Sequence, residues 1–150
     1  MVYAIIAGGV FLSDLILKRY MDKKYARKVR HPRLGGRIVL EKYYNEGAAL
    51  NFMVKKPKLL RIIHTVILVV VGIFSYFLMR LSGHALEKTG VALLLGGGLK
   101  NLYDRYTKGH VSDYFHLNFG PKWLRAIVFN ISDFCIFIGA LLAVAGSEVS

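Results

Sequence analysis

The chain has 150 residues, of which 55% are hydrophobic, and its mean hydropathy is +0.43. That length suits one domain, and the hydrophobic share exceeds the roughly 45–50% typical of soluble domains. The formal net charge is +12, and 14 of the 21 Lys and Arg residues lie between Lys18 and Arg61. Beside apolar runs, such a basic block favours anionic membrane lipids as partners over nucleic acid. The single cysteine, Cys135, excludes an internal disulfide framework.

Four apolar stretches approach the roughly 20 residues that a bilayer-spanning helix needs. The first could be mistaken for a secretory signal, but it lacks a basic amino-terminal region, and Asp14 and Lys18 stand where a cleavage site would fall. We therefore predict that it is retained. The sequence predicts a single four-helix membrane domain over residues 1–150, with spans at about 2–18, 59–79, 89–105 and 124–145.

The connection between the first two spans, residues 19–58, is long and basic. Within it, Arg37–Tyr44 is rich in β-branched and aromatic residues and follows a Gly-Gly pair, which favours a strand or hairpin. The third connection, Tyr106–Trp123, is expected to be an interfacial segment anchored by Trp123. The predicted fold class is integral membrane and mainly α, with four transmembrane helices and a small β-rich extramembrane platform between helices 1 and 2.

Two aspartates stand out in the second half of the chain. Asp133 lies inside the apolar stretch 124–145, about nine residues in, and Asp113 precedes that stretch. A carboxylate at membrane depth is costly and is retained mainly where it pairs or functions. If the third connection folds back, the two carboxyl groups meet and share one proton, so that one activates water while the other donates to a carbonyl oxygen. The alternative is a structural pair with Arg105 or Lys100.

Polar residues near these aspartates strengthen the catalytic interpretation. Asn130 lies three residues before Asp133, on the same predicted helical face, and Asn101, Asp104 and Arg105 give the third span a polar face. In the first span, Asp14 and Lys18 are spaced i, i+4. We predict that this last pair is a structural ion pair.

Other candidate motifs carry less weight. His110, Asp113 and His116 have a spacing that could suit metal ligands, but no HExxH or CxxC motif accompanies them, and we predict no metal. His64, in the second span, is expected to be a satisfied or interfacial histidine. The run Gly96–Gly98 lacks the setting of a phosphate-binding loop and predicts close helix packing.

Five segments of the chain match, in order, a set of family motifs. They are the Asp14 and Lys18 pair (Asp-x-x-x-Lys), Tyr44–Leu50 (Asn-x-Gly-Ala-Ala-Phe), Gly96–Arg105 (Gly-Gly-Ala-x-Gly-Asn-x-x-Asp-Arg), Gly109–Tyr114 (Gly-x-Val-x-Asp-Phe) and Phe129–Asp133 (Phe-Asn-x-Ala-Asp). Together they resemble the lipoprotein signal peptidase (signal peptidase II) family, the aspartyl peptidases of bacterial membranes. The resemblance covers all four predicted spans.

This resemblance implies a function and roles for the matching residues. It implies cleavage of prolipoproteins just before a lipid-modified cysteine, with no cofactor, at the extracytoplasmic face of the bacterial cell membrane. Asp113 and Asp133 would be the catalytic dyad. The substrate-binding or dyad-supporting residues would be Asn45, Gly47, Ala48, Asn101, Asp104, Arg105 and Asn130.

The chain departs from the family pattern at several motif positions and in its charge. Lys100 replaces a usual glycine, Leu50 and Tyr114 each replace a usual phenylalanine, and Ser132 replaces a usual alanine. Lys100 could snorkel to the interface, pair with Asp104, or approach the dyad. The positive-inside rule would place the basic loop in the cytoplasm, whereas the family places it outside.

Two other functions remain open from the residues alone. One is a non-catalytic small membrane protein, either a lipoprotein-binding paralogue or a transport or assembly subunit, with structural aspartates. The other is a basic peripheral protein that binds nucleic acid. Carboxylates within hydrogen-bond or one-water reach, open to a groove, would favour the peptidase.

Overall fold

The computed structural model describes residues 1–48 and 52–148, so that Leu50 of the second motif lies outside the described residues. Within the described ranges the chain forms five α-helices and one four-stranded antiparallel sheet. In chain order the elements are α1 Val2–Lys24, β1 Arg30–Arg33, β2 Ile38–Asn45, α2 Pro57–Leu78, α3 Ala85–Thr107, β3 Val111–Leu117, α4 Lys122–Arg125, β4 Val128–Phe129 and α5 Ile131–Ser147.

Helix α3 is the central helix and packs against α1, α2 and α5. Three consecutive glycines allow this, because each faces a different neighbour. A Cβ atom on Gly96 would lie 2.5 Å from the Ala7 carbonyl oxygen of α1, and one on Gly97 would lie 2.5 Å from the Ser132 carbonyl oxygen of α5. Gly98 faces Leu68 of α2 in the same way, at 2.6 Å. The close packing predicted for this run is confirmed.

The sheet lies at the end of the bundle where α1 and α3 finish and α2 and α5 begin. Its strand order is β1-β2-β3-β4. The expectation of a platform built only between the first two helices was too narrow, since β3 and β4 come from the connection that follows α3. Strand β3 pairs antiparallel with β2, with Phe115 opposite Leu40 and Asp113 opposite Tyr43.

The helix predicted over 124–145 begins later than expected, at Ile131. The segment before Asn130 forms α4 and the short strand β4, and α5 begins only at Ile131. Apolarity does not distinguish a strand from a buried helix, and the β-branched and aromatic residues at 127–129 favour extended backbone. Asp133 therefore lies in the first turn of α5, and Asn130 is the N-cap of that helix.

Helix α1 continues past its predicted end and α3 past both predicted bounds, whereas α2 agrees closely with the predicted 59–79. Helix α1 continues to Lys24, because Lys and Arg are good helix formers and cations in the last turn suit the helix dipole. Among the described helices, α2 is the one both long and apolar enough to cross a membrane, with a mean hydropathy of 2.1, and α5 is apolar but shorter. Both α1 and α3 carry buried charged residues.

Candidate active site

Asp113 is held in the middle of the sheet. It lies on β3 opposite Tyr43 of β2, and its residue is only 2% exposed. The Asn45 Nδ2 atom donates to Asp113 Oδ2 at 3.0 Å, and Asn130 Nδ2 donates to Asp113 Oδ1 at 2.6 Å. Asn45 is two residues beyond Tyr43, so the pleat puts it on the same sheet face as Asp113. Both carboxylate oxygens thus accept a neutral amide.

Asp133 is fixed by the start of α5. Its Oδ2 atom accepts the Asn130 backbone N–H at 3.0 Å, while the Asp133 backbone N–H donates to Asn130 Oδ1 at 3.0 Å. This reciprocal pair is a capping box. The other oxygen, Oδ1, accepts Asn101 Nδ2 of α3 at 2.9 Å.

Asn130 therefore joins the two aspartates. Its side chain contacts Asp113, and both its side chain and its backbone contact Asp133. The two aspartates also line one cavity of about 520 Å³. The sequence predicted that they would meet, and the structure brings them together by pairing β3 with β2 and by capping α5.

The electrostatics of Asp113 favour a retained proton. Burial, and then the negative charge of Asp133, raise the pKa of Asp113 to about 7, against the opposing hydrogen bonds from Asn130 and Asn45. Near neutral pH this carboxyl group can therefore hold or release a proton. That is the property a general acid needs.

A turn beside the dyad is held by Arg105. Its Nη2 atom donates to the Gly47 carbonyl oxygen at 2.6 Å, and the Gly47 N–H donates to Asn45 Oδ1 at 3.1 Å. Asn45, Ala48 and Arg105 line the cavity, whereas Gly47 contributes through its backbone. Arg105 thus orients the turn that supplies the Asn45 amide to Asp113.

A cluster of buried charges lies behind the dyad, formed by Asp14, Lys18, Lys100 and Asp104. All four residues have 0% exposure. Lys18 Nζ lies 2.6 Å from Asp14 Oδ2 and 2.8 Å from Asp104 Oδ2, and it donates to Asn101 Oδ1 at 3.0 Å. Asp14 and Lys18 form the ion pair expected from their spacing, and Asp104 belongs to this buried ion cluster rather than to the cavity wall.

Two members of this network were missed by sequence reasoning, which noted them only as departures from the family. Tyr114 donates its hydroxyl to Asp14 Oδ1 at 3.1 Å and accepts the Ile131 N–H at 2.8 Å. Ser132 Oγ donates to Asp14 Oδ2 at 2.8 Å. Tyr114 and Ser132 each carry a hydroxyl that the usual phenylalanine or alanine lacks. That hydroxyl was the sequence signal for a hydrogen bond at each position.

The histidines take different positions. His64 lines the cavity from α2, a role for which the sequence carried no signal. His116 Nε2 lies 2.9 Å from Glu41 Oε2, and His110 stacks on Tyr44. Among residues 1–48 and 52–148, no group of three or more His, Cys, Asp or Glu side chains could hold a metal ion.

Several named proteins are similar in sequence to this chain over most of its length. The family model of signal peptidase (SPase) II matches residues 6–147. The lipoprotein signal peptidase of Aquifex aeolicus (strain VF5) is 35% identical over 144 residues, covering 95% of this chain and 83% of the relative. That of Lactiplantibacillus plantarum is 28% identical over 145 residues, covering 97% and 93%.

Two solved bacterial membrane enzymes share the fold. One superposes with a TM-score of 0.85 at 23% identity, covering 98% of this chain and 87% of the other. The second has a TM-score of 0.81 at 24% identity, covering 97% and 92%. The helix bundle with its terminal sheet is therefore the fold of a membrane enzyme. With nearly its whole length matched by one family model, this chain belongs to the signal peptidase II family of aspartic peptidases.

Proposed function

We propose that Asp113 and Asp133 are the catalytic carboxylates of this enzyme. As a member of its family, the chain is a membrane-bound aspartic peptidase that removes signal peptides from prolipoproteins. The observation that carries the assignment of the dyad is the shared bridge. Asn130 contacts both carboxylates, and both line the same cavity.

The two aspartates have different roles in this proposal. Asp133 lies in the first turn of α5, where the helix dipole favours a negative charge, so it is the carboxylate that accepts a proton. Asp113 lies on strand β3 rather than in a helix, and its raised pKa suits the protonated partner. The pair holds one proton between them, as closely spaced carboxyl groups do.

Hydrolysis then follows from these roles. Asp133 takes a proton from water while the water oxygen bonds to the scissile carbonyl carbon, and Asp113 gives its proton to the carbonyl oxygen. The resulting diol collapses when Asp133 returns its proton to the amide nitrogen. The C–N bond breaks, and the diol hydroxyl that becomes the new carbonyl returns its proton to Asp113. Both carboxyl groups recover their starting states.

The cavity wall supports an apolar substrate segment. Besides the polar groups at its floor, it is lined by aliphatic and aromatic side chains from two helices that both pack on α3, namely Leu60, Ile63 and Ile67 of α2 and Ile136, Phe137 and Ala140 of α5. We propose that the signal segment enters laterally between α2 and α5. The scissile bond would then lie at the dyad, just before the lipid-modified cysteine, with the diacylglyceryl chains in lipid.

We also propose that α1, α2, α3 and α5 cross the bacterial cell membrane as one domain over residues 1–150. Helices of 23, 22, 23 and 17 residues are roughly 26–35 Å long, near the ~30 Å hydrocarbon core. The charges of α1 and α3 are buried and paired, which suits a membrane interior.

The sheet end carries a second part of this proposal. Exposed cations surround the β1–β2 hairpin, and we propose that they bind anionic lipid headgroups rather than nucleic acid, at about 1 kcal/mol each. In line with the family resemblance, this end and the dyad would face away from the cytoplasm. The exposed cations are Lys23, Lys24, Arg27, Lys28, Arg30, Arg33 and Arg37.

The non-catalytic alternative has less support. It required the dyad carboxylates to be neutralised by Arg105 or Lys100. Lys100 instead lies 2.5 Å from Asp104 Oδ1. Arg105 donates to the Gly47 carbonyl oxygen and interacts with both dyad carboxylates through its charge rather than by an ion pair at hydrogen-bond distance. Carboxylates bound by amides at a cavity wall fit a reaction centre better than a structural ion pair.

The proposal is tested by cleavage of a diacylglyceryl-modified lipobox peptide by purified protein in detergent. We expect Asp113→Asn and Asp133→Asn each to lower kcat by about 10³-fold or more, because each removes an acid–base group. Asp22→Asn is the matched control, since Asp22 is a half-buried aspartate that lies 3.6 Å from Lys108 Nζ and does not line the cavity, and it should cleave normally. Substantial cleavage by both dyad variants would contradict the proposal.

A further inference from the structure

Lys100 is a buried cation outside the catalytic cavity. Its residue has 0% exposure, and its Nζ atom lies 2.5 Å from Asp104 Oδ1, one helical turn along α3. The ammonium also lies over two aromatic rings, 5.9 Å from the Phe11 centroid and 5.7 Å from the Tyr103 centroid. Aromatic faces attract a desolvated cation. Of the three positions open to this lysine, the structure selects the pair with Asp104.

A continuous series of contacts joins Lys100 to the dyad. Asp104 accepts Lys100 at one oxygen and Lys18 at the other. Lys18 donates to the side-chain oxygen of Asn101, and the Asn101 amide donates to Asp133. Lys18 has all three ammonium donors engaged, by Asp14, Asp104 and Asn101.

We propose that Lys100 is a positioning residue of the peptidase site, which fixes Asp104 and through it Lys18 and Asn101, and balances the charge of the buried cluster. With Lys100 the cluster contains two carboxylates and two ammonium groups and is neutral. A glycine, as in the family motif, would leave it with one net negative charge beside the dyad. This inference rests on the proposed roles of Asp113 and Asp133.

The cluster acts on the dyad electrostatically as well as through hydrogen bonds. The positive charge of Lys18 lowers the pKa of Asp113, against the larger upward effects of burial and Asp133. A change in the net charge of the cluster should therefore move the pH dependence of cleavage. Besides the four cluster members and the two dyad carboxylates, the charged or titratable groups around them in the described residues include His64 on α2, Cys135 on α5 and several groups of α3 and β3. Those of α3 and β3, with the turn between them, are Tyr103, Arg105, Lys108, His110 and Tyr114.

The test compares the pH profile of kcat in wild type, in two single variants that change the net charge of the cluster in opposite directions, and in the double variant. Lys100→Met keeps most of the side-chain volume, makes the cluster negative, and should shift both limbs of the profile upward by about half a pH unit or more, because a nearby negative charge disfavours ionised carboxylates. Asp104→Asn makes the cluster positive and should shift the profile downward. The double variant is neutral again and should return the profile towards the wild-type position.

Lys88→Met is the matched control. Lys88 is also a buried lysine of α3, 7% exposed, but it lies at the opposite end of the helix and donates to the Leu81 carbonyl oxygen. Lys88→Met should leave the pH profile of kcat unchanged even if it makes the protein less stable.

A profile of Lys100→Met that coincides with wild type, or a double variant that does not return, would overturn the inference. If Lys100→Met does not fold, the downward shift expected for Asp104→Asn still decides the electrostatic coupling, and the double variant decides whether Lys100 balances it. Activity that survives in both dyad variants would instead reject the proposed function, so the two failures are distinct.

Discussion

Four aspartates lie close together in this protein, and their partners divide them into two pairs. Asp14 and Asp104 accept hydrogen bonds from lysine ammonium groups in the buried ion cluster. In the described part of the chain, the hydrogen bonds to the carboxylates of Asp113 and Asp133 come from amides. Asp113 is about as buried as Asp14 and Asp104, and Asp133 is half-buried, so burial alone does not separate the pairs.

The comparison shows how partner chemistry assigns a role to a buried carboxylate. A lysine keeps its carboxylate ionised, because two opposite charges stabilise each other in a poorly solvated site. An amide orients a carboxylate without adding a full charge, so the group can still exchange a proton. Asn101 connects the two pairs, since its oxygen accepts Lys18 and its amide donates to Asp133.

The largest effect on stability should come from removing the cation that the ion cluster shares. Lys18→Met would leave Asp14 without its partner ammonium and Asp104 with Lys100 at one oxygen only. Breaking a buried pair typically costs about 3–5 kcal/mol. Thermal unfolding in detergent measures the loss. Arg30→Met is the control, because the Arg30 side chain is 71% exposed and lies 2.9 Å from Glu41 Oε2, where an ion pair contributes about 1 kcal/mol or less. If both variants lost the same free energy of unfolding, the buried ion cluster would be no more important for stability than a surface ion pair.

A dyad aspartate should behave in the opposite way. The folded-state pKa of Asp113, about 7, lies above its ordinary 3.8. The folded protein therefore binds more protons than the unfolded chain between these values, and stability falls as pH rises through that window. Asp113→Asn should raise the free energy of unfolding at pH 8 by up to about 4 kcal/mol, and by much less near pH 4.

Thermal unfolding at both pH values checks this prediction. Asp104→Asn should destabilise the protein at pH 8, because it removes a partner of two buried lysines. If both asparagine variants shift stability in the same direction at pH 8, partner chemistry does not divide the aspartates as argued above.

Much of this arrangement could be predicted from the sequence. Apolar periodicity and length placed α2 almost to the residue, and the i, i+4 spacing of Asp14 and Lys18 indicated their ion pair. The glycine run predicted close packing, because small residues have one main use inside a helix bundle. The family resemblance of the motifs that carry Asp113 and Asp133 implied that the two residues belong to one site.

The start of α5 and the extent of the sheet could not be predicted in the same way. Strand β4 gains its conformation from pairing with β3, a contact that a local pattern does not contain. Asn130 was predicted to share a helical face with Asp133, but its position as N-cap depends on where the helix begins. Tertiary contacts also decide which lysine meets which aspartate, so the partner of Lys100 stayed open.

The smallest effect on stability, and the sharpest test of the amide bridge, should come from Asn130→Ser. Serine is also a good N-cap, so the α5 terminus should be nearly as stable. Its hydroxyl cannot both accept the Asp133 N–H and replace the amide that binds Asp113 Oδ1. We expect the free energy of unfolding to fall by about 1–3 kcal/mol, because a buried carboxylate oxygen loses its donor, and kcat to fall by about 10- to 100-fold.

Asn118→Ser is the matched control for this variant. Asn118 donates to the Gly36 carbonyl oxygen at the exposed edge of the sheet, remote from the dyad. It should leave kcat unchanged. If Asn130→Ser keeps both the stability and the kcat of wild type, the Asp113 carboxyl group does not need the Asn130 bridge. Asn45 and the strand pairing would then be enough to orient it. The amide contacts that distinguish the dyad from the ion cluster would then be structural at this residue.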